Sequence, residues 1–110
     1  MERPELSISV HRPGADQTVL RLSGEIDMLT AAELTAAVDD ALTERPVRVV
    51  LDMGAVTFCD SQGLGTLVVL SRKAASAQSA LVLTNVADFL LRVLDITGLR
   101  SALMIRNTPT

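Results

Sequence analysis

The chain has no tryptophan and no tyrosine, and its only aromatic residues are Phe58 and Phe89. With no large planes for bases to stack on and a net charge of -3, it lacks the basic, aromatic-bearing surface of a nucleic-acid binder. A single cysteine, Cys59, excludes an internal disulfide. A single histidine, His11, leaves no Cys/His set able to hold zinc, so neither a metal nor another cofactor is expected. The first residues carry acids and alternation instead of a basic stretch followed by an apolar block, which argues against a signal peptide. No segment reaches the roughly 18 uncharged residues of a membrane span. These absences lead to the expectation of a soluble cytoplasmic protein without nucleic-acid or membrane partners.

What is present is a 110-residue chain that is 48% hydrophobic. It fits a single domain over residues 1–110, able to bury roughly two-thirds of its unfolded surface. With so few aromatics the core must be built from Leu, Val, Ile, Ala and Met, which favours helices layered on a sheet. Leu6, Ile8 and Val10 alternate with polar residues, and the alternation resumes at Val19, Leu20 and Leu22, so two strands joined by a turn at Pro13-Gly14 are expected. Gly24 to Leu29 reads as a loop. Thr30 and Glu33 then have the T-x-x-E spacing of a capping box, ahead of an apolar face at Leu34, Ala37, Val38, Ala41 and Leu42. Pro46 ends that helix and leads into Val47 to Leu51, which has the pattern of a strand buried on both faces.

The stretch that follows organises the rest. Ser61 stands ahead of Leu64, Leu67, Val68 and Ser71 at helical spacing, with Gly63 and Gly65 in the first turn. After this second helix come a short strand at Ala80 to Leu83, a third helix capped by Asn85, and Gly98 as a left-handed helix stop with Leu99 beside it. A last strand at Ala102 to Ile105 precedes a polar tail, Arg106 to Thr110. Strand-strand-helix-strand-helix-strand-helix-strand implies a mixed, mostly parallel α/β sheet of about five strands, with the first strand added antiparallel. Binding sites in such sheets gather at the carboxyl ends of the strands. Two of the loops there are acidic, one with Glu25 and Asp27 and the other with Asp52 and Asp60.

Taken by itself, Ser61 has two readings: an N-cap that accepts an amide hydrogen bond, or an acceptor of a phosphoryl group. A serine nucleophile for hydrolysis is disfavoured, since His11 lies on the first strand and no G-x-S-x-G elbow exists. Asp52, at the end of the third strand, is where a receiver-type phosphotransfer protein carries its phosphorylated aspartate, although the only lysine, Lys73, is mid-helix. Gly63-Leu64-Gly65 lacks the lysine and spacing of a P-loop and fits close packing of helix on strand. Cys59 reads as a buried, inert thiol. Asp95 opposes the dipole of its own helix and is expected either to cap a neighbouring loop or to contact a partner.

Three segments carry a family resemblance. TFCDSQGLGTLV resembles the D-S-[ST]-G-L-G segment of STAS domains in bacterial anti-sigma factor antagonists. GEIDMLTA resembles their G-E-[IL]-D loop, and LDITGL resembles their F-D-[IM]-[ST]-G-L helix end. The resemblance implies a protein-binding switch and not an enzyme. In that family the unmodified protein binds an anti-sigma factor that is also a serine kinase and so frees a sigma factor. Phosphorylation, here on Ser61, ends the binding, and a serine phosphatase restores it. Glu25, Asp27, Asp60, Gln62, Gly63, Leu64 and Asp95 are the implied partner-binding residues. A STAS protein of another signalling complex is the alternative within binding modules, and the receiver using Asp52 is the alternative from another class. Three departures stand out: Gln62 replaces the motif's second hydroxyl, Leu94 replaces its phenylalanine, and the helix that usually follows the last strand is missing, leaving bare any apolar surface it would cover.

Overall fold

A computed structural model describes residues 5–107. Strands β1 (Leu6–Gly14) and β2 (Gln17–Ile26) are followed by helix α1 (Ala31–Leu42), strand β3 (Arg48–Cys59), helix α2 (Ser61–Ser76), strand β4 (Ala80–Thr84), helix α3 (Asp88–Thr97), a 3-10 turn (Leu99–Ala102) and strand β5 (Met104–Ile105). The five strands lie in the order β1-β2-β3-β4-β5, with β1 antiparallel to β2 and every later pair parallel. The α/β class, the strand number and the antiparallel first strand agree with the sequence pattern.

Because each crossover steps one strand in the same direction and such crossovers are right-handed, all three helices fall on one face of the sheet. The expectation that Val47 to Leu51 is buried on both faces is therefore corrected. Val49 and Leu51 point into the helices and are fully buried, while Val50 on the other side is half-buried and Val47 is exposed. The core between sheet and helices is filled by aliphatic side chains such as Leu20, Leu22, Leu34, Leu51, Leu67 and Leu90. Burial of each contributes about 1.5–3 kcal/mol before conformational entropy is charged against it.

Several boundaries also move. The hairpin turns at Ala15-Asp16, not at Pro13-Gly14, for β1 bulges between His11 and Gly14 and still pairs Gly14 with Gln17. An edge strand tolerates Pro13 because no neighbour needs its missing N–H. Strand β3 does not stop at Leu51: it stays paired with β2 through Cys59 opposite Ile26, with two register shifts along the ladder, one over Met53-Gly54 and one at Thr57. Asn85 does not cap α3. It sits at φ +57° and donates to Asp52, while Ala87 occupies the cap position. Residues Leu99–Ala102 form the 3-10 turn, which shortens the last strand to Met104–Ile105. Gly98 does end α3, at φ +75°. The tail keeps contact with the fold through Arg106, whose N–H donates to the Leu83 carbonyl at 2.8 Å, and Asn107, which exchanges two hydrogen bonds with the Val86 backbone. Residues 108–110 of that expected tail lie outside the described residues.

Candidate functional site

The site forms where β2 and β3 end and α1 and α2 begin. The end of β2 is set by Gly24, at φ +118°, where a side chain would run into the Glu5 carbonyl. The next amide, Glu25 N–H, donates to that same carbonyl at 3.1 Å. Glu25 is left half-buried, paired across the ladder with Phe58.

Asp27 follows, but not as a rim acid. It is 8% exposed, and its Oδ1 accepts from the N–H groups of Leu29 and Thr30 at 2.9 and 3.1 Å. The expected capping box is corrected at this point. Thr30 occupies the cap position of α1, yet its side chain makes no capping bond to the helix. Its hydroxyl turns backward, accepting from Asp27 N–H at 3.0 Å and donating to the Glu25 carbonyl at 2.9 Å. Asp27 and Thr30 thus hold each other in the β2–α1 turn, a local alternative that short polar side chains offer the backbone.

At the end of β3 the cap of α2 belongs to Asp60, not to Ser61. Asp60 is extended, at φ -89° and ψ -176°, and its Oδ1 accepts from Gly63 N–H at 2.8 Å. Its own N–H donates to the Ile26 carbonyl at 3.2 Å, which ties the helix start to β2. Gly63 allows this approach: a Cβ there would collide with the Ile26 carbonyl and lie 2.9 Å from the Cys59 sulfur. Cys59 is half-buried, and its thiol is pushed up to about 12 by desolvation first and then by Asp60 and Asp27. It is held protonated and inert, as its neighbours in sequence suggested.

Ser61 is the first residue of α2, exposed, and its hydroxyl makes no hydrogen bond to another described residue. Gln62 is exposed beside it, and its carbonyl accepts from the Thr66 hydroxyl at 2.9 Å. Gly63 and Leu64, expected to meet a partner, are instead buried, Gly63 in the close packing and Leu64 in the core. Asp95 is not brought to the site. Helix α3 starts beyond the carboxyl end of β4 and runs back, so its last turn lies at the other end of the sheet, where Asp95 pairs with Arg100 at 3.2 Å. Asp52 is mid-strand and engaged: Oδ1 accepts from Gly54 N–H and from Asn85 Nδ2, both at 3.0 Å, and Oδ2 is 3.8 Å from Arg21.

Other residues join the site: Thr35, Thr66 and Val69 without having been singled out, and Gly65, expected in close packing, with open space where a Cβ would stand. Thr35 on α1 and Gly65, Thr66 and Val69 on α2 line a shallow groove of about 360 Å³, with Ser61 and Gln62 on its wall. Ser61, Gly65 and Val69 stand at i, i+4 and i+8, so helical spacing alone would have found them, on the face turned away from Leu64 and Leu67. At the same end of the sheet Met28, Leu29 and Phe58 are 69%, 64% and 46% exposed. Large apolar side chains bared around a polar centre are the composition of a protein-docking surface, not of a small-molecule cavity.

A five-stranded sheet with helices on one face, and an exposed serine at the start of the helix that follows its central strand, defines an α/β module that offers a surface in place of a deep cavity. The family model described as "Mlab, STAS domain" matches residues 10–106. The anti-sigma-B factor antagonist of Listeria monocytogenes is 31% identical over 102 residues, 93% of this chain and 90% of that protein. The anti-sigma-F factor antagonist RsfB of Mycobacterium tuberculosis is 42% identical over 55 residues, 50% of this chain and 45% of that one. Among solved structures, an anti-sigma factor antagonist from Mycobacterium paratuberculosis superposes with a TM-score of 0.80 at 27% identity, covering 94% of this chain and 87% of that one. The chain belongs to the STAS domain family, and is a binding protein and not an enzyme. Among the described residues no helix is long and apolar enough to cross a membrane.

Proposed function

We propose that the chain is an anti-sigma factor antagonist switched at Ser61. In its unmodified form it binds, in the cytoplasm, an anti-sigma factor that is also a serine kinase, and so releases a sigma factor. Phosphorylation of Ser61 ends that binding and a serine phosphatase restores it. The observation that carries this reading is the free, exposed Ser61 hydroxyl directly after a residue, Asp60, that already performs the capping. A hydroxyl without a structural duty is available for modification. The names of the relatives support the antagonist role, and the DSQGLG segment supports the position.

Charge explains how the switch would work. A phosphoserine brings nearly two negative charges next to Asp60, while the helix N-terminus offers amides and a dipole that accommodate them. The fold therefore tolerates the modification, and its cost falls on the partner seated over Met28, Leu29 and the α2 groove. The receiver alternative loses its footing, since Asp52 lies mid-strand with its carboxylate held by Gly54, Asn85 and Arg21. Calorimetric titration against the purified anti-sigma factor kinase tests the proposal. Ser61→Ala binds and resists phosphorylation, whereas Ser61→Asp binds at least tenfold more weakly, about 1.4 kcal/mol. If enzymatically phosphorylated protein bound as tightly as the unmodified form, the switch would be refuted.

A further inference from the structure

The face of the sheet opposite the helices carries an ordered pattern that the switch does not use. The register aligns Val19 with Val50, Val50 with Val82 and Val82 with Met104, an apolar row across four strands and three strand spacings, about 14 Å long. The next row toward the strand ends contains Arg21, Asp52 and Thr84, and the next row toward the strand starts contains Gln17, Arg48 and Ala80. A shallow groove of about 450 Å³ runs over the patch, with Arg48 and Arg106 at its rim. Val82 is 8% exposed although it lies outside the core on the helix side. Arg48 donates to Gln17 at 2.8 Å and pairs with no carboxylate among the described residues. Parallel sheets are normally covered on both faces, and among the described residues no helix covers this one.

We infer that this face is the interface of a symmetric dimer, occupied by the same face of a second copy of this chain. The charges select the occupant. When two copies are related by a two-fold axis lying along the apolar row, each apolar side chain meets its own counterpart and the two flanking rows exchange places. Asp52 of each copy then stands opposite Arg48 of the other, both on β3, and its Oδ2, held only by the 3.8 Å approach of the exposed Arg21 while Oδ1 serves Gly54 and Asn85, completes two reciprocal ion pairs that bracket the apolar row. A two-fold axis along the strands would instead set β2 against β5 and bring Arg21 to the Arg106 side, where like charges repel. The sheets pack aligned at their usual spacing of about 10 Å, with strands antiparallel between copies. The patch is small beside a standard interface of about 800 Å² per partner, so the dimer is weak and dissociates on dilution.

Sedimentation equilibrium of the whole chain from about 10 μM to about 1 mM tests this. Wild type shifts from monomer to dimer across that range. Arg48→Glu, a change at an exposed position, weakens association at least tenfold with an unchanged far-UV spectrum, and Val50→Glu does the same. Arg48→Lys retains the dimer, and Ile96→Glu, on exposed α3, leaves it unaffected. Raising the salt weakens the wild-type dimer and leaves the residual association of Arg48→Glu little changed. A wild type that stays monomeric at about 1 mM, or a dimer that survives Arg48→Glu in its folded form, overturns the inference.

Discussion

Thr30 is a buried hydroxyl that satisfies an N–H and a carbonyl on the chain leading into α1. Thr30→Ala strands both, and a buried polar group without a partner costs about 1–3 kcal/mol. Urea denaturation is expected to show a loss in that range, with Thr30→Ser recovering most of it. A loss below about 0.3 kcal/mol would mean that solvent replaces the hydroxyl. The T-x-x-E spacing announced that Thr30 works at a helix start. It did not announce the direction in which the hydroxyl turns, because that depends on the Asp27 N–H and the Glu25 carbonyl, which the β2–α1 turn brings within its reach. Ser61 has the same history. Its neighbour Asp60 reaches the Gly63 N–H first, so the residue that looked like a cap is relieved of capping. Asp27, Gly63 and Leu64 were identified by motif, and a motif marks position without telling inward from outward. Met28 and Leu29, outward and apolar, carry no motif and went unmarked.

At the level of elements, the helices were legible because their apolar stripes repeat at helical spacing, as in α1 with Leu34, Val38 and Ala41 buried. The stop of α3 was legible too. Gly98 lies at φ +75° with nothing within 4 Å of where a Cβ would stand, so its requirement is conformational and not one of space. Gly98→Val is expected to lower stability by more than about 1 kcal/mol, the cost of a β-branched residue in the left-handed region. Unchanged denaturation midpoints would refute that. Strand β3 was half hidden because Asp52 and Gly54 are loop-forming residues by propensity. Long-range pairing with β2, which no local window contains, holds them extended through Cys59. The same argument covers Asn85: its composition suits a cap, but the carboxylate across the sheet at Asp52 draws its amide away.

On the scale of the whole molecule, the parallel ladder is unequal. Residues Arg48 to Asp52 are hydrogen-bonded between β2 and β4, whereas Ala55 to Cys59 have β2 alone on one side. Native-state hydrogen exchange should therefore find amides of Val49 to Leu51 among the slowest and those of Val56 to Cys59 opening earlier, well below the global unfolding free energy. Uniform protection along β3 would contradict this. Earlier opening at the end that presents Ser61 would suit the proposed switch, whose surface has to fit a partner in one state and refuse it in another. The separation of Asp60 from Ser61 has an evolutionary consequence. Since the helix is secured by the aspartate, a lineage can exchange the serine without losing the fold. Under the proposed switch at Ser61, an alanine there would fix such a protein as a permanent binder and a glutamate would silence it, placing a responsive antagonist and an unresponsive one a single substitution apart.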